Sequence, residues 1–261
     1  RRSAYTVMQM DRAGRHSLVT GASDGLGAEI SRAAARAGAK VVLATRRKEK
    51  LEALEAEIKD NGGEALAVSM DVSDEASTIA GFDAAEAAFG PLHGLVANAG
   101  ISADAWVVDQ STEDFDRTMS VNLRGVFLSV REAGRRIMKQ DEAHQKRGRV
   151  VINASFTAHE TFSTVSAYAA SKAGAVQYGR VTAREWARSG INVNVLCPGY
   201  LSTPMTDPLF NSPAGEKFKA KFPRRRVMSA DALNDMTVFL LSDASKYITG
   251  SVFTLDDGQS L

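Results

Sequence analysis

Residues 16–27 read His16-Ser17-Leu18-Val19-Thr20-Gly21-Ala22-Ser23-Asp24-Gly25-Leu26-Gly27. An apolar run ending in a β-branched residue, the mark of a buried strand, passes into three glycines and then into helical periodicity over Gly27–Ala37. Glycines at such a crossover let the backbone turn tightly, approach a pyrophosphate and pack helix against strand. The helix N-terminus then offers free N–H groups and the positive end of its dipole. A glycine-rich turn can also serve packing alone. The strand before it, the helix after it and its place at the first crossover favour a nucleotide.

Working outward, the chain alternates between two kinds of segment. Strands are predicted over His16–Thr20, Lys40–Thr45, Glu64–Met70, Gly94–Ala97, Arg149–Ala154, Ile191–Leu196 and Ser251–Leu255. Helices are predicted over Gly27–Ala37, Lys48–Asn61, Ser73–Phe89, Thr112–Lys139, Ser166–Ser189 and Ala230–Leu241. Such alternation predicts one α/β domain over residues 11–261, a doubly wound Rossmann-type parallel sheet of seven strands with helices on both faces. Its ligands belong at the carboxyl ends of the strands. Residues 1–10 read as a loose leader, with Met8 or Met10 as a candidate native start.

The composition excludes other classes. With 44% hydrophobic and 24% charged residues over 261 positions, disorder and fibrous repeats do not fit. A net charge of +1 offers no field for nucleic acid. The one cysteine, Cys197, has no intrachain disulfide partner, and Cys/His metal-ligand spacings are absent, so no metal is expected. Apolar runs fall short of the roughly 18 residues a membrane span needs, and residues 1–16 lack a signal-peptide core. A cytoplasmic protein without membrane or nucleic-acid partners is expected.

The glycine spacing, Thr20-Gly21-x-x-x-Gly25-x-Gly27, resembles the T-G-x-x-x-G-x-G loop of the short-chain dehydrogenase/reductase family, and the resemblance runs from Ser17 to Gly258. It implies a nicotinamide cofactor lying along Gly21, Ser23, Asp24, Gly25, Leu26 and Gly27. After the second strand, Thr45 stands where NAD-dependent members often carry aspartate, and Arg46 where many NADP-dependent members carry a basic residue. NADP(H) is therefore favoured over NAD(H), since a guanidinium pairs with a 2′-phosphate; Asp24 pulls the other way. Arg47 and Lys48 read equally as solvated turn residues. Asp71-Val72 resembles the pair bordering the adenine, although Asp71 and Ser73 are also N-cap types. Asn98-Ala99-Gly100 resembles the N-A-G segment beside the cofactor, and Pro198, Gly199, Leu201 and Thr203 the P-G-x-x-x-T segment at the nicotinamide.

Tyr168 and Lys172 lie one turn apart on one helical face, so phenol and ammonium can share a pocket. A neighbouring ammonium is expected to lower the phenol pKa towards useful acid/base range. An exposed Tyr–Lys pair at this spacing is also ordinary; its company carries the reading. Ser155, thirteen residues earlier, matches the family serine that holds the substrate oxygen, and Asn122 the asparagine that completes a water-borne relay to the lysine. The resemblance thus implies reversible hydride transfer between nicotinamide and a carbonyl or secondary-alcohol carbon of a small molecule. Tyr168 is the expected acid/base, and Lys172 the expected ligand of the nicotinamide ribose.

Trp106, Phe156, His159 and Tyr200 follow strand ends and are candidate pocket residues. Residues 204–222, with Phe210, Phe218 and Phe222, read as a lid. Cys197 reads as a core residue rather than a nucleophile, having no evident base. Arg224-Arg225-Arg226 suits an acidic carrier protein, as in 3-oxoacyl carrier-protein reduction, or a plain solvated loop. A nucleotide sensor without turnover is the reading from another class. Asp256-Asp257-Gly258-Gln259 departs from the family's D-G-G ending. The resemblance also implies a homotetramer, less often a dimer.

Overall fold

The computed structural model describes residues 14–204 and 206–261; the expected leader over residues 1–10 lies outside them. In chain order the elements are β1 His16–Thr20, α1 Gly25–Arg36, β2 Lys40–Thr45, α2 Lys48–Asp60, β3 Glu64–Ser69, α3 Glu75–Phe89 and β4 Gly94–Ala97. There follow α4 Thr112–Met119, α5 Gly125–Ile137, α6 Glu142–Gln145, β5 Arg149–Asn153, α7 Ser166–Trp186 and β6 Asn192–Pro198. The chain closes with α8 Asp207–Phe210, α9 Pro213–Lys219, α10 Asn234–Leu241 and β7 Val252–Leu255.

The seven strands form one sheet in the order β3-β2-β1-β4-β5-β6-β7, every pair parallel. The doubly wound expectation holds. Neighbouring residues of a strand point to opposite faces, and both faces are covered, which is why the strands read as continuous apolar runs. Leu18, Val150 and Ile152 join Phe82 of α3, Val126 of α5 and Ala175 of α7 in one core. Val19, Val151 and Leu196 join Ile30 of α1, Leu54 of α2 and Leu240 of α10 in the other. The order reverses between β1 and its neighbour β4, which opens a crevice at their carboxyl ends. No helix of the described residues is long and apolar enough to cross a membrane.

Several helix bounds shift: the last helix starts at Asn234 rather than Ala230, and the lid carries two short helices, α8 and α9, beyond those predicted. Two further differences have local reasons. Thr112–Lys139 is not continuous: a π-helical turn, Ser120–Arg124, separates α4 from α5. Such single turns occur inside α-helices, often at functional sites, and no Gly or Pro within Ser120–Arg124 announces this one. The helix expected from Ser73 starts at Glu75, because Asp74 supplies the cap and accepts the Ser77 N–H at 2.6 Å.

Candidate active site

The glycine loop is shaped by close approach. A Cβ on Gly27 would lie 2.1 Å from the Gly21 carbonyl oxygen, so only glycine lets α1 pack on the loop here. The loop after β4 is locked to that after β1. The Thr20 hydroxyl accepts the N–H groups of Asn98 and Ala99, each at 3.0 Å, and the Asn98 amide donates to the Thr20 carbonyl at 3.0 Å. Asp24 precedes α1 without a side-chain cap bond, so its carboxylate does not occupy the first-turn amides at Gly25 and Leu26. Across the crevice stands Thr203, 3.5 Å from where a Gly25 Cβ would be. An uncapped helix N-terminus facing a narrow glycine-lined crevice fits a dinucleotide pyrophosphate.

At the ribose end, Arg47 and Lys50 both pair with Asp24, Lys50 at 2.7 Å, and Arg47 also donates to the Ser23 hydroxyl. Partial burial opposes ionisation of Asp24, but Lys50 and Arg47 hold its carboxyl below the ordinary range. Arg47 thus bonds to the loop rather than merely meeting solvent. Thr45 ends β2, its carbonyl accepting the Met70 N–H at 3.1 Å. Arg46 is 69% exposed and stands 3.8 Å from Asp71. Asp71 caps no helix; it accepts the Ser73 N–H at 2.9 Å and hydroxyl at 2.6 Å. Val72 is buried in the core beside Gly125.

Around Tyr168 the elements converge. Ser155 begins a short turn after β5, its hydroxyl accepting the Thr157 N–H at 3.2 Å and facing the Tyr168 phenol, whose ionisation it favours. Lys172, one turn further along α7, donates to the Asn153 carbonyl at 2.9 Å, with its ammonium 5.5 Å from the Tyr168 ring centre. Asn122 is held by the π-helical turn and fully buried. It accepts the Ile101 N–H at 2.8 Å and donates to the Ile101 carbonyl at 2.9 Å and to Ser171 at 3.0 Å. Gly100 lies between them: its Cβ would fall 3.2 Å from the Lys172 nitrogen and 3.5 Å from Asn122 Oδ1.

The electrostatics correct one expectation. Burial pushes the Tyr168 phenol up, and Asp104 adds to this, while Ser155 pulls down by less. The Lys172 ammonium, directed to the Asn153 carbonyl, does not offset this. At neutral pH the phenol carries its proton. Cys197 is fully buried and its thiol is pushed up to about 11, which agrees with a core residue.

Tyr200 sits at the centre of an aromatic cluster, its ring 5.3 Å from Phe156, 5.8 Å from Phe162, 5.2 Å from Phe210 and 5.5 Å from Phe218. Phe210 belongs to α8 and Phe218 to α9, so the expected lid closes on Tyr200. Burial raises the Tyr200 phenol to about 12, with Tyr168 and Asp104 contributing. Trp106 is 61% exposed, in the loop whose Ala105 N–H bonds to the Thr164 carbonyl. His159 is turned away towards β7, 3.2 Å from the Thr254 hydroxyl. Pro198 ends β6, Gly199 N–H donates to the Leu255 carbonyl at 3.0 Å, and Leu201 bridges to Met228. Among the described residues no cluster suits a metal ion.

Sequence reading missed Ser171 and Asn153. Ser171 joins Asn122 to the Tyr168 carbonyl, at 3.0 and 2.7 Å. Asn153 carries Lys172 on its carbonyl and donates its amide to Asn98 at 2.9 Å. A polar residue ending an otherwise apolar buried strand was the available signal for Asn153.

The comparisons agree with this geometry. Residues 21–260 match the family model described as enoyl-(acyl carrier protein) reductase. D-threitol dehydrogenase of Mycolicibacterium smegmatis is 34% identical over 95% of this chain and 94% of its own. Levodione reductase of Leifsonia aquatica is 36% identical over 93% of each. The structure of a gluconate 5-dehydrogenase from Burkholderia cenocepacia, in complex with NADP and tartrate, superposes with a TM-score of 0.90 at 30% identity, over 97% of both chains. The glycine crevice, the Ser155–Tyr168–Lys172 grouping and these matches lead to one conclusion: the chain belongs to the short-chain dehydrogenase/reductase family.

Proposed function

We propose that this protein is an NADP(H)-preferring oxidoreductase that reversibly interconverts a small-molecule ketone and its secondary alcohol. The observation that carries the reading is a Tyr168 phenol held protonated beside Ser155 and Lys172, next to the glycine crevice. When bound, the nicotinamide supplies the hydride in reduction and takes it up in oxidation. Ser155 holds the substrate oxygen and stabilises the charge that develops there. Tyr168 donates its phenolic proton to that oxygen in reduction and accepts it back in oxidation, a contribution of roughly 10²–10⁴-fold. Lys172, anchored on Asn153, binds the ribose hydroxyls. Asn122, beside it across Gly100, completes the relay by which Tyr168 regains its proton.

The preference for NADP(H) is supported by an exposed Arg46 guanidinium, by Thr45 in place of a carboxylate, and by Arg47 and Lys50 compensating Asp24. NADP in the Burkholderia relative supports it further. A carrier-protein substrate is not favoured, because Arg224 and Arg226 are both engaged by Asp257. One relative, 36% identical, is named an inactive 2-(S)-hydroxypropyl-CoM dehydrogenase; the complete Asn122, Ser155, Tyr168 and Lys172 set supports turnover here. Exposed Phe127 on α5, Val181 on α7 and Val252 on β7 support a homotetramer, which sedimentation at micromolar concentration tests. A cytoplasmic enzyme drawing on the cell's nicotinamide pool is consistent with its single, unpaired cysteine. A panel of polyols, sugar acids and cyclic diketones with both cofactors tests the function. Absorbance change with NADPH exceeding that with NADH is expected, and no turnover with any member contradicts it.

A further inference from the structure

The departure from D-G-G at residues 256–259 places an acid where the chain turns through the left-handed region: Asp257 has φ 53. A non-glycine residue pays strain there, though aspartate less than most. Its carboxylate meets two arginines of the segment that follows the lid. Arg224 donates at 2.7 Å, and Arg226 donates at 2.6 and 3.2 Å, with Arg225, itself at φ 51, turning the chain between them. Two positions on, Gln259 grips the main chain of Tyr200. Its Oε1 accepts the Tyr200 N–H at 2.7 Å and its amide donates to the Tyr200 carbonyl at 3.0 Å. The turn is itself held by Asp256, which accepts the Gly258 N–H at 3.0 Å and the Ser260 N–H at 2.9 Å.

Both ends of the lid therefore meet this turn. The outgoing limb leaves from Tyr200 and Leu201. The returning limb passes Phe222, Arg224 and Arg226 before Met228 rejoins Tyr200 and Leu201: Met228 N–H donates to the Tyr200 carbonyl at 3.1 Å, and Ser202 N–H to the Met228 carbonyl at 2.8 Å. Phe210, Phe218 and Phe222 pack on the ring between those limbs. We infer that Asp257 and Gln259 are positioning residues: together they clasp the roots of the lid, hold Tyr200 against the pocket and so set how tightly substrate is enclosed. The link to substrate rests on the proposed reaction; the clasp itself does not. Arg224 and Arg226 are more than half exposed while Asp257 is largely covered, so salt reaches and weakens the clasp.

Hydrogen–deuterium exchange of the intact, unliganded protein tests the clasp without any substrate. Asp257→Asn keeps the size and the left-handed tolerance while removing the charge. It is expected to speed amide exchange about fivefold or more over residues 202–222, with strands β1, β4 and β5 unchanged. Sodium chloride at about 1 M is expected to do the same to the parent protein and to add little to Asp257→Asn, because ionic pairs at the surface are screened. Gln259→Leu is expected to loosen residues 199–202 alone. Steady-state kinetics with a ketone that turns over is expected to show KM raised several-fold by Asp257→Asn and kcat within about twofold. Exchange over 202–222 that is unaltered in Asp257→Asn, or that rises equally throughout the sheet, overturns the clasp. Loosened exchange with an unaltered KM overturns its role in substrate enclosure. Absence of turnover with every ketone speaks against the reaction and leaves the exchange result to decide the clasp.

Discussion

Replacing Lys172 by methionine is expected to stabilise the fold while destroying the activity. The lysine is 4% exposed, and burial lowers it from its usual 10.5 to about 8. At 1.36 kcal/mol per unit, holding it charged at pH 7 costs about 3 kcal/mol. Methionine fills similar volume and forfeits the bond to the Asn153 carbonyl, worth about 1 kcal/mol. The variant is therefore predicted to be more stable by about 2 kcal/mol at pH 7, or roughly 4–8 °C in Tm for a chain of this size. The pH dependence has a defined sign. Between about 8 and 10.5 the unfolded chain binds the proton that the folded chain has released, so the parent gains stability as pH rises through that window and the variant does not. Between pH 7 and 9 the gap narrows by about 1 kcal/mol. Thermal melts of both proteins at equal protomer concentration, at pH 7 and pH 9, measure it. A methionine variant no more stable than the parent at pH 7, or a gap that does not narrow at pH 9, refutes the reasoning.

Other outcomes follow from single contacts. Gly27→Ala places a Cβ 2.1 Å from the Gly21 carbonyl, so NADPH binding, read by fluorescence titration, is expected to be lost. Thr45→Asp with Arg46→Ala is expected to lower kcat/KM with NADPH and raise the relative use of NADH. One charge-assisted bond of about 1.5–3 kcal/mol implies a ten- to hundredfold change in the ratio. If the parent already prefers NADH, Arg46 is a solvated turn residue. Cys197, buried with its thiol raised to about 11, is expected to resist iodoacetamide at pH 8 in the folded protein and to react once denatured. Rapid labelling of the folded protein contradicts the burial.

The sheet was legible because its strands are buried on both faces: runs such as Lys40–Thr45 and Gly94–Ala97 match the observed strands residue for residue. The local motifs were legible too, since Tyr168 and Lys172 are placed by helix geometry and the glycine loop by its strand and helix. Four things needed the fold. The π-helical turn that holds the buried Asn122 has no breaker residue within Ser120–Arg124 to announce it. The direction of the Tyr168 shift depends on burial and on where the Lys172 ammonium points, neither of which spacing encodes. His159 follows a strand end like its neighbours, yet a bond to Thr254 turns it towards β7. The meaning of Asp257 lay in Arg224 and Arg226, some thirty residues earlier in sequence and brought beside it by the returning limb of the lid.

The most direct test is Tyr168→Phe. The substitution removes one oxygen, the one that must give or take the proton, and keeps the half-buried ring beside Ser155. With a ketone that the parent reduces, NADPH oxidation by the variant is predicted to fall by about 10²–10⁴-fold. The NADPH dissociation constant, measured separately by titration, is predicted to stay within about twofold. A variant that retains near-parental kcat on that ketone contradicts the assignment of Tyr168 as the acid/base, and with it the proposed mechanism.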